Sequence, residues 1–301
     1  MISAFSGFAL IGVIVFMGWL VGRWVEFPVA ALGRLVYLVL APCLLFTVVA
    51  KADLGVLFSE PLLVSTAAAC VCFALYPLII RGRDKGTRIV GALAGGYTNA
   101  NYIGLPIATY VLHDAALVVP IVILQVLVIT PVALTMLEIV TVGRASVRSV
   151  LATPLQNPLI AAVILGALVA VTGVRLPTVV ADPIATVGEA AVPVVLLVFG
   201  LSLHGQRLLA PGSDRVATIA AVVMKTAVMP AVAFGLASAL RLPNHATYAV
   251  TVLAGLPTAQ NVFLYAQRFS AGLVLIRDAI FLSTLACVPA LLLIAYLFTR
   301  S

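Results

Sequence analysis

Two short stretches bring amide, hydroxyl, glycine and proline residues into long apolar segments. The first runs from Gly95 to Pro106 and reads GGYTNANYIGLP, and the second runs from Gly255 to Asn261 and reads GLPTAQN. Such residues leave backbone groups without helical partners, and in hydrocarbon each group costs several kcal/mol unless protein, water or ligand satisfies it. Such breaks are expected to line a cavity, and two of them at corresponding places in two halves indicate the substrate site of a secondary transporter.

The polar side chains of both stretches are candidates for binding a small anion. Pro106 has no amide hydrogen and clashes with the carbonyl of Tyr102, so the helix is expected to open over the turn before it, and Pro257 is expected to act likewise. If the breaks cross at the midplane, half-helix N-termini place partial positive charge there, which suits a carboxylate. The candidate binding residues are Thr98, Asn99, Asn101, Pro106, Pro257, Thr258, Gln260 and Asn261. The alternative is that these residues only pack and hydrogen-bond between helices.

Two ionisable residues lie deep in apolar segments. Lys225 stands five residues before Pro230, and an ammonium there is expected to face an aqueous pocket or a partner. It is a further candidate for binding the anion or for standing in for a bound cation; alternatively it bonds to carbonyls freed at a proline kink. Glu189, four residues before Pro193, is the best intramembrane carboxylate. It is a candidate partner for Lys225 or proton carrier, unless water at the outer surface solvates it.

The composition defines the class of protein. Of the 301 residues 63% are hydrophobic and 9% are charged, and the mean hydropathy is +1.24, which predicts a polytopic membrane protein in a lipid bilayer. The net charge of +7 is spread over short loops, so we predict no nucleic-acid partner. The cysteines lie in apolar segments, and neither a disulfide framework nor a metal site is predicted. They are Cys43, Cys70, Cys72 and Cys287.

Ten membrane spans are predicted, because a span needs about 20 apolar residues. With glycine, proline and charge clusters as boundaries, they lie at 4–22, 29–50, 61–80, 88–112, 115–141, 150–172, 178–203, 214–240, 244–267 and 271–298. The predicted organisation is a first five-helix repeat over 1–141, a short cytoplasmic link at 142–149 and a second five-helix repeat over 150–301.

The two halves repeat weakly. Prolines recur in the same order at similar offsets, and the broken fourth span corresponds to the broken ninth. The proline pairs are Pro42 with Pro193, Pro77 with Pro230 and Pro131 with Pro289. Because five is an odd number, the second copy enters the membrane from the opposite side, which predicts an inverted repeat.

Loop charge predicts the orientation. The links after odd-numbered spans carry most of the basic residues, namely Arg23, Arg34, Arg81, Arg83, Lys85, Arg88, Arg144, Arg148, Arg207, Arg215, Arg268 and Arg277. The opposite side has Lys51, Arg175, Arg241 and Arg300. The odd links are therefore placed in the cytoplasm and both termini outside.

An enzyme is not predicted. His113, His204 and His245 fall near span ends, without a metalloprotease HExxH pair, a nucleophile GxSxG motif or paired acids suited to hydrolysis. A receptor or structural membrane protein would have little use for two opposed broken helices.

Three stretches resemble the auxin efflux carrier family, which includes plant PIN proteins and bacterial relatives. They are TNANYIGLPIA in the fourth span, KTAVMPAVAF in the eighth, and GLPTAQNVFLYAQRF followed by FLSTLACVPALLLI in the ninth and tenth. The resemblance implies an all-α, bile acid symporter-like fold of ten transmembrane helices in two inverted five-helix repeats, with a scaffold and a mobile transport unit whose broken fourth and ninth helices cross at the substrate site. It identifies Asn99 and Asn261 as the residues at that crossing.

The resemblance also bears on substrate and coupling. The short central link resembles the bacterial branch, whose members are linked to malonate and malate as well as to auxin, whereas plant PINs have proline where this chain has Asn261. The similar bile acid symporters use sodium at the crossing, and oxygen ligands such as those of Thr98 and Gln260 suit it, but PIN proteins are thought to work without it. No other cofactor is implied, and homodimers are common in the family.

The sequence therefore predicts a multi-pass carrier in the bacterial inner membrane that moves a small organic anion by alternating access. The anion would be bound by Asn99 and Asn261, with Lys225 adding positive potential. The alternatives are a sodium- or proton-coupled importer that uses Glu189, and a membrane sensor that binds the ligand without moving it.

Overall fold

The computed structural model describes residues 2–25, 28–51, 60–142, 158–202 and 214–300, and this part of the chain consists of helices and the links between them, with one isolated backbone bridge. The helices of the first half are α1 (Ile2–Val21), α2 (Val29–Leu35), α3 (Ala41–Lys51), α4 (Glu60–Ile79), α5 (Lys85–Gly96), α6 (Leu105–Tyr110), α7 (Val119–Leu124) and α8 (Thr130–Val142). The predicted central link, apart from Val142, lies outside the described residues.

The second half has the same all-helical character. Its helices are α9 (Pro158–Thr172), α10 (Thr178–Glu189), α11 (Ala191–Ser202), α12 (Arg215–Val223), α13 (Met229–Ala239), α14 (Asn244–Ala254), α15 (Asn261–Phe269) and α16 (Leu273–Arg300). Over the described residues, five helical stretches are long and apolar enough to cross a membrane: Ala31–Lys51, Pro61–Ile79, Thr178–Val198, Arg215–Ala239 and Leu273–Thr299. The chain is therefore a polytopic membrane protein.

Four π-helical stretches each end two residues before a proline. They are Val36–Leu40, Ala100–Gly104, Gln125–Ile129 and Met224–Val228, which precede Pro42, Pro106, Pro131 and Pro230. Proline lacks an amide hydrogen, and its ring crowds the carbonyl four residues earlier, so a wider turn relieves the clash. In the second stretch the Gly104 amide donates to the Asn99 carbonyl at 2.8 Å, which is the wide-turn bond. Proline thus widens these helices without ending them.

The helices pack into two groups. In the first, which we call the support group, α3 packs against α9 and α10, and α1 packs against α11. In the second, which we call the break group, α4 packs against α5 and α13, while α12 packs against α5 and α16. The break group also contains α7, α8, α14 and α15. The short helix α6 contacts α1 and α11, so the segment after the first break meets the support group.

Glycine brings α1 and α11 into backbone contact. A Cβ atom on Gly200 would collide with the carbonyl oxygen of Val15, and one on Gly18 would collide with that of Leu197. Helix surfaces approach this closely in membrane proteins where small residues face each other, because dispersion contacts replace the missing hydrophobic drive. These two glycines therefore fix the distance between the helices.

Candidate functional site

The first break follows α5. Helix α5 ends at Gly96, Tyr97 has an extended backbone, and the π-helical stretch begins at Ala100. The Asn99 side chain accepts a hydrogen bond from the Tyr102 amide at 3.1 Å, so Asn99 caps the helix that resumes after the break. Its Oδ1 atom is thereby used for structure, and its amide nitrogen is the atom that suits a carboxylate.

The second break separates α14, which ends at Ala254, from α15, which begins at Asn261. The backbone from Gly255 to Ala259 is buried, and Gln260 is exposed. Asn261 stands in the first turn of α15, where the helix dipole favours negative charge.

The two breaks are hydrogen-bonded to each other. Thr98 and Thr258 form an antiparallel bridge, in which the Asn99 amide donates to the Pro257 carbonyl at 2.8 Å and the Ala259 amide donates to the Tyr97 carbonyl at 3.1 Å. Each break thus supplies the backbone partners that the other lost when its helix opened. This exchange offsets the cost of irregular backbone at membrane depth.

The last turns of the two interrupted helices are capped by side chains. The Thr258 hydroxyl donates to the carbonyl oxygen of Ala94, in the last turn of α5, at 2.6 Å. The Lys225 ammonium donates to the carbonyl oxygen of Ala254, the last residue of α14, at 2.6 Å, and it lies 3.2 Å from the Met229 sulfur. A hydroxyl thus caps one half-helix and an ammonium the other.

Two residues that the sequence analysis did not select support the paired breaks. The Gln125 amide nitrogen donates to the Thr98 carbonyl at 2.9 Å, and the Ser283 hydroxyl accepts from the Thr258 amide at 3.1 Å. Both side chains are buried. The signal for Gln125 was available, because an amide within an apolar segment needs a partner. Ser283 carries no such signal, since a serine alone is common in membrane helices.

A chain of hydroxyl groups joins the first break to the helix after the second. The Tyr97 hydroxyl lies 2.9 Å from that of Thr130, which lies 3.1 Å from that of Tyr265. The rings of Tyr97 and Tyr265 meet edge to face with centroids 6.3 Å apart. The Asn261 side chain also interacts with the Tyr97 hydroxyl. These contacts hold α15 against the first break.

The structure brings most of the candidate residues together. Thr98, Asn99 and Thr258 are almost fully buried at the paired breaks, Asn261 is half-buried beside them, and Pro106 and Pro257 are buried in the adjoining turns. Gln260 adjoins the second break but is exposed. Asn101 belongs to the π-helical stretch, and its side chain lies outside the described part of the structure.

Lys225 and Glu189 do not form a pair. The Lys225 ammonium contacts Ala254 and Met229, whereas Glu189 is exposed at the end of α10 in the support group. Lys225 does bond to a backbone carbonyl, which was one of the expectations. That carbonyl is the one of Ala254 in the broken ninth span, however, and not one at the kink before Pro230. Within the described residues, no cluster of three or more His, Cys, Asp or Glu side chains could hold a metal ion.

Two adjoining cavities lead to the paired breaks. One measures about 380 Å³ and lies between the first turns of α4 and α14 and the α6–α7 link. The other measures about 10 Å³ and is lined by Thr98 and Gln125, among others. Both are bordered by Ser65, Ile121 and Leu253, so the two cavities share part of their walls.

These features define a class: an all-helical, polytopic membrane protein in which two interrupted helices from opposite halves of the chain meet. Residues 140–295, just over half of the chain, match the family described as membrane transport protein. The chain belongs to this family, which is that of the auxin efflux carriers. It is therefore a membrane transporter. Among curated proteins, no match is found.

Proposed function

We propose that the chain carries a small organic anion across the plasma membrane by alternating access. The substrate is an auxin-like carboxylate or a dicarboxylate such as malonate or malate. The observation that carries the proposal is the reciprocal hydrogen bonding of the two breaks at Thr98 and Thr258. Opposed broken helices are the arrangement by which secondary transporters hold a substrate at the midplane.

In this proposal the chain has ten transmembrane helices in two inverted five-helix repeats, and the breaks are the crossing of the fourth and ninth spans. The anion lies where the helices after the two breaks begin. The amide nitrogens of Asn99 and Asn261 bind the carboxylate, and the dipole at the start of α15 adds positive potential. Lys225 donates to the carbonyl of Ala254, the last residue before the second break, and adds positive potential there.

The two packing groups supply the moving parts of this mechanism. The support group acts as the scaffold and the break group as the transport unit. Helix α6 follows the first break and contacts α1 and α11 of the support group, so it lies at the boundary between the two groups. Rocking of one group against the other exposes the anion to each side in turn. Both termini lie outside, as the loop charges favour. If the anion moves alone, an inside-negative potential favours export by about 2.3 kcal/mol per charge per 100 mV.

The test is flux of labelled indole-3-acetate, malonate and malate in proteoliposomes, with and without a sodium gradient. Asn99→Ala is expected to weaken anion binding by about 10- to 100-fold, since a hydrogen bond to a charged group contributes about 1.5–3 kcal/mol. Asn99→Ser is the matched control for folding, because serine retains a helix cap but lacks the amide. It should fold like the wild type and transport as poorly as the alanine variant.

The outcomes separate the competing mechanisms. Flux driven by potential without sodium supports a uniporter, and flux only with sodium supports a coupled importer. If flux is unchanged in both Asn99 variants, the anion does not bind at the paired breaks. If no anion moves although the protein is folded, the transported compound is not one of these organic acids.

A further inference from the structure

The larger cavity forms an entrance on the face that carries the α6–α7 and α13–α14 links. Its mouth is marked by Asp114 and His245, both of which are exposed. The remaining lining is mostly apolar and comes from residues of α4, α7 and α14 and of the α6–α7 link, none of which belongs to the support group. The α6–α7 link also contacts α3 of the support group, so the cavity lies beside the boundary between the two groups.

The small cavity lies at the inner end of this entrance. Its volume of about 10 Å³ is close to the space that one water molecule occupies. The hydroxyl-bearing Ser65 borders both cavities, while Thr98 and Gln125 add polar groups at the inner end. A water here has polar neighbours, which a stable buried water requires.

Lys225 is next to this small cavity. The two groups that its ammonium contacts, the Ala254 carbonyl and the Met229 sulfur, belong to residues that line the cavity. Lys225 itself is fully buried. An ammonium has three donors, and of these two acceptors the thioether is a weak one.

No carboxylate balances the Lys225 charge among the described residues. Its π-helical stretch packs against α4, α5 and α16. The thiols of Cys72 on α4 and Cys287 on α16 lie near Lys225 and bond to the carbonyls of Met224 and Thr284. The buried carboxylate of α16, Asp278, is paired with Arg277 at 2.8 Å. In the part of the chain that the structure describes, the Lys225 ammonium thus donates to one carbonyl and one sulfur.

We infer that Lys225 is the proton-binding group of the carrier and exchanges its proton with the entrance through the two cavities. On release, one N–H bond of the ammonium breaks, the electron pair stays on Nζ, and the proton passes to water in the small cavity and then to solvent beside Asp114 and His245. In this state protonation reverses these steps; once the two groups have rocked, the same N–H bond breaks toward the opposite side, so the proton crosses with the anion. The inference rests on the proposed carrier function and adds a co-substrate, one proton per anion.

The charge of Lys225 links proton binding to anion binding. Protonated Lys225 adds positive potential at the paired breaks and favours the bound anion, and neutral Lys225 does not. Anion affinity is therefore high in acid and falls as the pH rises and Lys225 loses its proton. One linked proton changes the affinity by at most about tenfold per pH unit.

The experiment uses the full chain in proteoliposomes with the anion that the wild type moves. Proton flux is read from a trapped pH-sensitive dye while the membrane potential is clamped, and anion exchange is measured by counterflow. Ser65→Leu fills the junction of the cavities, and Ser65→Ala is its matched control. Ser65→Leu is expected to lower proton flux at least about tenfold and to retain counterflow, and Ser65→Ala is expected to retain both.

A binding measurement tests Lys225 directly. The wild type should lose anion affinity as the pH rises, and Lys225→Met should bind weakly at every pH. Anion flux in the wild type without proton flux, or a pH-independent affinity, would overturn the proton linkage and leave the carrier function intact. If no organic anion moves or binds, the carrier function fails and the linkage fails with it.

Discussion

Thr258 holds the end of a helix in the opposite half of the chain: its hydroxyl donates to the Ala94 carbonyl oxygen at 2.6 Å. Thr258 is fully buried and belongs to the second break, whereas Ala94 lies in the last turn before the first break. A side chain of one break therefore stabilises the helix that the other break interrupts. The stability of the two breaks is coupled for this reason.

Thr258→Val is expected to destabilise the protein by about 1–3 kcal/mol, because it leaves a buried carbonyl without a donor at nearly constant volume. Thermal unfolding in detergent measures the change. Thr258→Ser retains the hydroxyl and should lie close to the wild type. Equal loss in both variants would mean that packing of the threonine methyl group, not the hydrogen bond, matters.

Gly200→Ala is expected to disrupt the contact between α1 and α11, since the new Cβ would collide with the backbone carbonyl of Val15. Backbone cannot yield as a flexible side chain can, so we expect a loss of about 1–3 kcal/mol, as for overpacked cores. The control is Gly235→Ala on α13, where no heavy atom lies within 4 Å of the added Cβ. It should be neutral or stabilising in the same unfolding assay.

Tyr97→Phe and Thr130→Val are expected to be energetically coupled by about 0.5–3 kcal/mol, because the two hydroxyls form one bond of the chain that ends at Tyr265. A double-mutant cycle on the free energy of unfolding measures the coupling. Thr172→Val is the reference partner for Tyr97→Phe. Its hydroxyl bonds only to carbonyls of its own helix, α9, so that pair should be additive.

The ionisation of Asp84, in the link between α4 and α5, is expected to make the stability of the protein depend on pH. Its side chain caps α5 by accepting from the Thr87 amide at 2.8 Å, and hydrogen bonds from the side chain and backbone of Thr87 hold the pKa of Asp84 below its ordinary value. The stabilisation is present above the unfolded pKa and is lost as the pH falls through the lower, folded pKa. Asp84→Ala should cost about 1 kcal/mol at neutral pH, and the difference from the wild type should vanish in strong acid. A pH-independent difference would exclude ionisation as its cause.

The positions of the two breaks could be predicted because local chemistry determines them. Clusters of glycine, asparagine and proline cannot continue a helix in hydrocarbon without other partners, and the structure interrupts the helices within GGYTNANYIGLP and GLPTAQN. The all-helical, membrane-spanning character follows from composition for the same reason. The predicted repeat boundaries and the roles of the site residues stay predictions.

The partners of the breaks could not be predicted, because they depend on how distant helices pack. Gln125 and Ser283 are single polar residues in apolar segments, and nothing near them in the sequence identifies Thr98 and Thr258 as their partners. Lys225 was predicted to face an aqueous pocket or a partner, or to bond to carbonyls freed at a kink, but its bond to Ala254 requires knowing which helix end lies beside it. The π-helical turns before four prolines were also missed, since proline alone predicts a kink and not its form.

The reciprocal bonds between the breaks impose an order on biosynthesis. The Asn99 amide and the Tyr97 carbonyl find their partners only in residues 257–259, which the ribosome makes much later. At about 5–20 residues per second, the first break waits on the order of ten seconds for the second. During that interval its polar backbone must be sheltered by the insertion machinery or by water. The first half of the chain therefore cannot reach its final form in the bilayer until the second half has entered.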